Sequence, residues 1–138
     1  MKNHVQEDLA RRTTRFALDV ICLYIALPRS TVTYVLGRQL LQSGTSVGAH
    51  YREARRAKST ADFISKIEGA LQELDETAYW LELLREAGLT ENDAVEKLTV
   101  EANELISIFV SVVRRLKSAT HSARRQPGHP SSFIPHPS

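Results

Sequence analysis

The sequence predicts an all-α fold, an antiparallel up-down-up-down four-helix bundle with a disordered C-terminal tail. Apolar residues recur at spacings of three and four in four successive segments, which is typical of amphipathic helices. Short links separate the segments, and short links between long helices make neighbours antiparallel. The chain has 138 residues, of which 42% are hydrophobic and 25% charged. This composition fits one globular domain and excludes both wholesale disorder and a membrane bundle.

The first predicted helix runs from Thr13 to Leu27, and Pro28 ends it because proline cannot continue a helix. Its main apolar stripe consists of Phe16, Val20, Leu23 and Leu27. A second apolar set on another side of the helix consists of Leu18, Ile21 and Ile25. We therefore expect one face to pack in the core and the other to be available to a partner subunit. Residues 1–12 are interpreted as an N-terminal extension.

The second predicted helix extends to about Ala57 and contains two glycines, Gly44 and Gly48. The residues that keep the same helical spacing are Leu36, Leu40, Ser43, Val47, His50 and Ala54. Each glycine costs up to about 1 kcal/mol relative to alanine inside a helix, so a compensating contact is expected. The small residues from 43 to 49 either let a neighbouring backbone approach closely or leave a narrow groove on the surface. The sequence leaves both alternatives open.

The third predicted helix begins at Ser59, which together with Asp62 resembles a capping box. Its stripe consists of Phe63, Ile67, Ala70, Leu74, Thr77, Leu81 and Leu84. Gly88 supplies the stop, because glycine readily adopts the left-handed conformation that ends many helices.

The fourth predicted helix begins after Thr90, which we expect to be its N-cap. Its stripe consists of Val95, Leu98, Ala102, Leu105, Phe109, Val112 and Leu116. The four helices together assign residues 13–118 to the bundle. Residues 119–138 contain four of the five prolines, three histidines and two adjacent arginines. This composition cannot bury enough apolar surface to order itself, so a flexible tail rich in Pro, His and Arg is predicted.

Charge is unevenly distributed along the chain, although the net charge is only +2. Residues 1–58 carry ten basic and four acidic side chains, residues 59–104 three and twelve, and residues 105–138 five and none. The basic side chains expected to cluster near the second link are Arg38, Arg52, Arg55, Arg56, Lys58 and Lys66. Arginine suits phosphate because its planar guanidinium matches two phosphate oxygens. The alternative is a solvated, charge-rich helix end, and the sequence does not decide between the two.

Residues needed for common catalytic and metal sites are missing from the predicted bundle. Cys22 is the only cysteine, and His50 is the only histidine within residues 13–118, whereas a di-iron bundle needs two Glu-x-x-His helices. The Gly44–Gly48 segment matches G-x-S-x-G, but a nucleophile elbow requires a preceding strand. We therefore expect no enzyme activity, no metal and no cofactor. The apolar run of the first helix is too short to cross a bilayer and contains Asp19, so a cytoplasmic protein without membrane attachment is expected.

Two segments carry a family resemblance, QLLQSGTSVGAHYREA at residues 39–54 and ELDETAYWL at residues 73–81. The residues between them that belong to the same pattern are Ser59, Asp62, Phe63 and Lys66. Over about residues 13–117 the chain resembles the bacterial four-helix bundle family named after intervening sequences in 23S ribosomal RNA. That family includes the accessory variability determinant of diversity-generating retroelements, a basic bundle that assembles as a homopentamer, binds nucleic acid and associates with a reverse transcriptase. His50 is a departure, because the family usually has asparagine there.

The resemblance implies the bundle, a homopentameric assembly, and binding to RNA or DNA with a reverse transcriptase as a further partner. Combined with the basic cluster, it leads us to expect a non-enzymatic homo-oligomer that binds nucleic acid electrostatically. The alternative is a protein–protein interaction scaffold without nucleic-acid binding. In that case the acidic third and fourth helices and the exposed apolar stripe would recruit a partner, and the basic groups would complement neighbouring subunits.

Overall fold

The computed structural model describes residues 2–90 and 92–124, which form four α-helices. α1 spans Lys2–Ala26, α2 Thr31–Arg55, α3 Thr60–Glu86 and α4 Asn92–Arg124. Each helix contacts the next along the chain, and α1 contacts α4 to close the bundle. The predicted four-helix bundle is confirmed. None of the helices in the described ranges combines the length and hydrophobicity needed to cross a bilayer.

Two helix boundaries differ from the prediction. α1 begins at Lys2 rather than at Thr13, and the buried side chains of Leu9 and Thr13 extend its core stripe toward the N-terminus. The sequence conceals this extension because the core position that follows Leu9 is the polar Thr13 rather than an apolar residue. α4 continues to Arg124, through the first residues of the segment predicted as a tail. The rest of that segment, residues 125–138, lies outside the described residues.

The core follows the predicted stripes closely. In α3, six of the seven predicted positions are buried, and Phe63 is half-buried. In α4 the stripe holds from Val95 to Phe109, after which Val113 is buried and Val112 only half-buried. An α-helix has 3.6 residues per turn, so a strict alternation of three and four drifts around the helix over several turns. From Leu105 to Phe109 and again from Phe109 to Val113 the spacing is four, and this second step of four returns the apolar stripe to the side of α4 that faces the core.

α1 and α2 approach each other closely at the glycines of α2. A Cβ atom added at Gly44 would lie 2.8 Å from a methyl carbon of Val20, and one added at Gly48 would lie 3.3 Å from Oγ1 of Thr13. These four residues are buried. The structure therefore shows the first alternative left open by the sequence, in which small residues permit a close helix contact.

Local capping signals fix where α3 begins and ends. The Ser59 hydroxyl accepts a hydrogen bond from the backbone N–H of Asp62 at 3.0 Å, which confirms the predicted N-cap. After the helix, Gly88 has a φ of 68°, and the N–H of Leu89 donates to the carbonyl of Leu84 at 3.1 Å. This is a Schellman motif, so the predicted stop at Gly88 is confirmed.

Successive helices run antiparallel, which determines the ends at which loops and termini lie. Position 37 of α2 lies against Tyr24 of α1, whereas position 48 lies against Thr13, so the sequence directions are opposite. In the middle of the bundle, Thr77 of α3 donates a hydrogen bond to Ser43 of α2 at 2.8 Å. The α2–α3 loop therefore lies at the same end as the beginning of α1 and the end of α4.

Candidate nucleic-acid interface

The end of the bundle that holds the α2–α3 loop is rich in cations, and we call it the basic end. Its exposed cations are Arg11 and Arg15 of α1, Arg52, Arg55 and Arg56 at the end of α2, Lys58 of the loop, and Arg114, Arg115 and Lys117 of α4. No acidic residue follows Glu104 in the sequence. Arg52 and Arg55 lie in the last turn of α2, where the negative end of the helix dipole also stabilises positive charge.

One cleft at the basic end lies between α1 and α2, and we call it the α1–α2 cleft. Its volume is about 620 Å³. Four arginines line it, namely Arg11, Arg15, Arg52 and Arg55. Asp19 is the acidic residue among the side chains that line it. The Arg52 guanidinium donates a hydrogen bond at 3.3 Å to the Thr14 hydroxyl, which joins the two walls.

The four arginines of the α1–α2 cleft differ from the neighbouring Arg12 in their partners. None of the four pairs with a carboxylate in the part of the chain that the structure describes. Arg12 instead contacts Glu101 at 2.7 Å and Glu104 at 3.1 Å, both on α4. The hydrogen bond with Glu101 raises the pKa of Arg12 above its ordinary value. Arg12 therefore joins α1 to α4, whereas the cleft arginines form no ion pair among the described residues that would compete with a bound anion.

A second cleft lies between the α2–α3 loop, the start of α3 and α4, and we call it the loop cleft. Its volume is about 570 Å³. Its apolar lining consists of Ala54, Ala57, Phe63, Val112 and Leu116. Its polar lining consists of Arg55, Lys58, Ser59, Thr60 and Arg115. No carboxylate lines it, and the nearby Asp62 carboxylate accepts a hydrogen bond from the backbone N–H of Lys58 at 3.2 Å.

Arg55 lines both clefts and so connects them into one cationic surface. The helix that carries it is anchored one turn earlier by Tyr51, which is buried and stacks on Phe109 of α4 at a ring separation of 5.9 Å. Burial raises the pKa of the Tyr51 hydroxyl, and the positive charge of Arg55 opposes this shift. Packing of a rigid aromatic pair thus positions the cations at the end of α2.

Four of the six basic residues predicted from the sequence lie together at the basic end. Arg52, Arg55 and Lys58 line the clefts, and Arg56 is exposed at the C-cap of α2 without lining either cleft. The sequence-based set omitted three cleft residues, namely Arg11, Arg15 and Arg115. The sequence did contain a signal for these three residues. An antiparallel order of four helices places the beginning of the first helix and the end of the last helix beside the second link.

The other two predicted residues lie apart from the clefts. Arg38 precedes Arg52 on α2 by about 21 Å, as calculated from the helical rise. Its guanidinium donates a hydrogen bond to the Tyr34 hydroxyl at 3.0 Å and lies over the same ring. Lys66 is half-buried on α3 and lines neither cleft. The six residues predicted to form one patch therefore do not all lie together, because Arg38 and Lys66 are outside the cluster at the basic end.

His50 connects α2 and α3 away from the clefts. Its Nδ1 lies 3.2 Å from a carboxylate oxygen of Glu53, and its Nε2 lies 3.6 Å from one of Glu73. A Cβ atom added at Gly69 would lie 3.2 Å from the imidazole, so glycine leaves room for the ring. Within residues 2–90 and 92–124, no group of three or more His, Cys, Asp and Glu side chains could hold a metal ion.

These features define a small four-helix bundle protein with a cationic surface at one end, where the cations that line the two clefts form no ion pair among the described residues. Residues 6–111 match the family described as 23S rRNA-intervening sequence protein, and the chain belongs to this family. A solved structure from Bacteroides thetaiotaomicron, described as a protein with unknown function from the S23 ribosomal protein family, is similar at 36% sequence identity. The similarity covers 75% of this chain and 96% of that one, with a TM-score of 0.71. No curated protein is similar enough to match the chain.

Proposed function

We propose that the chain is a non-enzymatic, homo-oligomeric protein that binds the phosphate backbone of RNA or DNA through its basic end. One observation carries this proposal: six cations line two adjoining clefts and form no ion pair among the described residues. They are Arg11, Arg15, Arg52, Arg55, Lys58 and Arg115. Cations without acidic partners keep their donors and charge for phosphate oxygens. Because phosphates carry no sequence information, binding is expected to be independent of sequence.

Exposed apolar side chains support self-association as part of the proposal. Leu18 and Ile25 on α1 are 55% and 74% exposed, and Tyr34 on α2 is 54% exposed. The family resemblance implies a homopentamer, in which several basic ends would act together and raise the apparent affinity. It also implies a reverse transcriptase as partner. Membership of a family named after a ribosomal RNA element supports the choice of nucleic acid as the ligand.

A protein–protein interaction scaffold remains the second candidate function, because the same exposed apolar residues suit a protein partner. The two candidates differ in their response to salt. Phosphate binding releases counterions and weakens steeply as salt rises, whereas contacts built on apolar area change far less.

The test is the affinity of the purified full chain for labelled RNA and DNA, measured by fluorescence anisotropy at several salt concentrations. Six phosphate contacts predict a slope of log affinity against log salt of about −4 for single strands and about −5 for duplexes. Raising salt from about 50 to about 200 mM should therefore weaken single-strand binding roughly 300-fold.

A matched pair of variants locates the surface. Arg52→Gln with Arg55→Gln removes two cleft cations and should make the single-strand slope shallower by about 1.4. Arg38→Gln removes an exposed arginine of the same helix outside the clefts and should leave the slope unchanged. An equal effect of Arg38→Gln would move the interface to the outer face of α2. Absence of binding at low salt by a folded protein would reject nucleic acid and favour the scaffold.

A further inference from the structure

The loop cleft differs from the α1–α2 cleft in having an apolar floor beneath its cations. Phe63 is half-buried, with part of its surface packed on the core and part lining the cleft. Val112 and Leu116 of α4 line the same cavity as Phe63, and Ala54 and Ala57 add only small side chains. An aromatic side chain, aliphatic walls and small neighbours line a concave surface large enough for a flat ring.

Cations surround this floor without any opposing carboxylate. Arg55, Lys58 and Arg115 come from α2, the loop and α4, and none of them forms an ion pair among the described residues. The hydroxyls of Ser59 and Thr60 add polar groups at the start of α3. A ligand that matches this cleft therefore has an apolar planar part, hydrogen-bonding edges and an adjacent negative charge.

Resting on the function proposed above, we infer that the loop cleft holds the base of an unpaired nucleotide while its cations bind the flanking phosphates. Every nucleic-acid base has a flat π-face that stacks on aromatic side chains irrespective of sequence. The cleft volume of about 570 Å³ lies within the usual range for small-molecule sites, roughly 300–1,000 Å³. Arg55 extends from this cleft to the α1–α2 cleft, so a strand seated by its base would continue along the four arginines.

The same geometry separates single strands from duplexes. In a duplex the bases are paired and stacked, so they reach a pocket only after unstacking, which costs free energy. A duplex therefore contacts the cations of the basic end through its backbone alone. The base pocket adds affinity only for nucleotides that are already unpaired.

The test compares probes of equal charge with and without bases, using the full chain in its native assembly. The probes are a labelled thymidine 12-mer, an abasic 12-mer with the same phosphates and a 12-base-pair duplex. The thymidine strand should bind about tenfold more tightly than the abasic strand, the effect expected for one stacked base. Phe63→Leu keeps the volume apolar but removes the aromatic face. It should bring this ratio close to one while leaving duplex affinity and both salt slopes unchanged.

Trp80→Leu is the matched control, because it removes an aromatic side chain of α3 that does not line the cleft. It should leave the thymidine-to-abasic ratio unchanged, and unaltered helical circular dichroism shows that both variants fold. Equal affinity of the wild-type protein for the two single strands would overturn the inference and leave phosphate binding intact. In that case the loop cleft would bind a different ligand, such as an acidic peptide with an aromatic side chain. Absence of binding to all three probes at low salt would remove the proposed function together with the inference.

Discussion

Replacing Gly44 with alanine tests the close contact between α1 and α2. Alanine improves helix propensity by up to about 1 kcal/mol, so an open site would be stabilised. At Gly44 the new Cβ would lie 2.8 and 2.9 Å from the two methyl carbons of Val20, which is fully buried. A β-branched side chain has little freedom to rotate away in a helix. Overpacking of this kind costs about 1–3 kcal/mol, so we expect a net loss of about 1 kcal/mol.

Gly69→Ala provides the matched control for the same substitution on α3. There the added Cβ would meet His50, whose side chain is 32% exposed and can shift. We therefore expect Gly69→Ala to be neutral or stabilising. A double-mutant cycle of Gly44→Ala with Val20→Ala then isolates the contact, because removing the methyl groups relieves the overlap.

The measurement is urea unfolding followed by circular dichroism, at two protein concentrations because the proposed self-association would make stability depend on concentration. The cycle should give a coupling energy of about 1 kcal/mol or more, above the roughly 0.5 kcal/mol scatter seen for independent sites. Stabilisation by Gly44→Ala equal to that of Gly69→Ala would refute the close contact. A coupling energy near zero would refute it as well.

Three further predictions concern caps, ion pairs and pH. Ser59→Ala should lower the free energy of unfolding by about 1 kcal/mol, because the N–H of Asp62 loses its acceptor; an unchanged urea midpoint would contradict this. Arg12→Gln should destabilise the bundle by about 1 kcal/mol, and added salt should shrink the difference between variant and wild type. Burial raises the pKa of Tyr51 in the folded protein above its ordinary value of 10.0. The protonated hydroxyl therefore stabilises the fold fully below pH 10.0, and this stabilisation is lost as the pH rises through the folded-state pKa. Tyr51→Phe should therefore make unfolding free energy less dependent on pH above about 10, and an unchanged slope between pH 9 and pH 11 would contradict this.

The sequence predicts the fold well because its helical periodicity is strong and local. The stripes of α3 and the stop at Gly88 depend on residues close together in the chain, and both are confirmed. The start of α1 could not be predicted in this way, because Leu9 becomes a core residue only through the packing of α1 against other helices. The choice between a groove and a close contact at Gly44 likewise depends on Val20, which is distant in sequence.

The candidate site is predicted less completely, because proximity in sequence and proximity in space differ at helix ends. Arg38 lies on the same helix as Arg52 but about 21 Å away, a little over half the length of α2, as follows from a rise of about 1.5 Å per residue. Arg11 and Arg115 are separated by most of the chain, yet they line two clefts that share Arg55. Charge counts along the sequence identify basic segments, and only the antiparallel packing brings those segments to one end.

The distribution of charge along α3 and α4 gives the molecule a lengthwise electric dipole. Toward their connecting loop the cations Arg85 and Lys97 are outnumbered by the acidic residues Glu73, Asp75, Glu76, Glu82, Glu86, Asp93 and Glu96, whereas the opposite end carries the cations of the basic end. The field of a polyanion would turn such a molecule during diffusion so that its basic end arrives first. This orientation acts over about one Debye length, about 8 Å at physiological ionic strength. In the proposed binding to nucleic acid, a larger fraction of collisions would then be productive, so the charge pattern would affect how fast the complex forms as well as how tightly it holds.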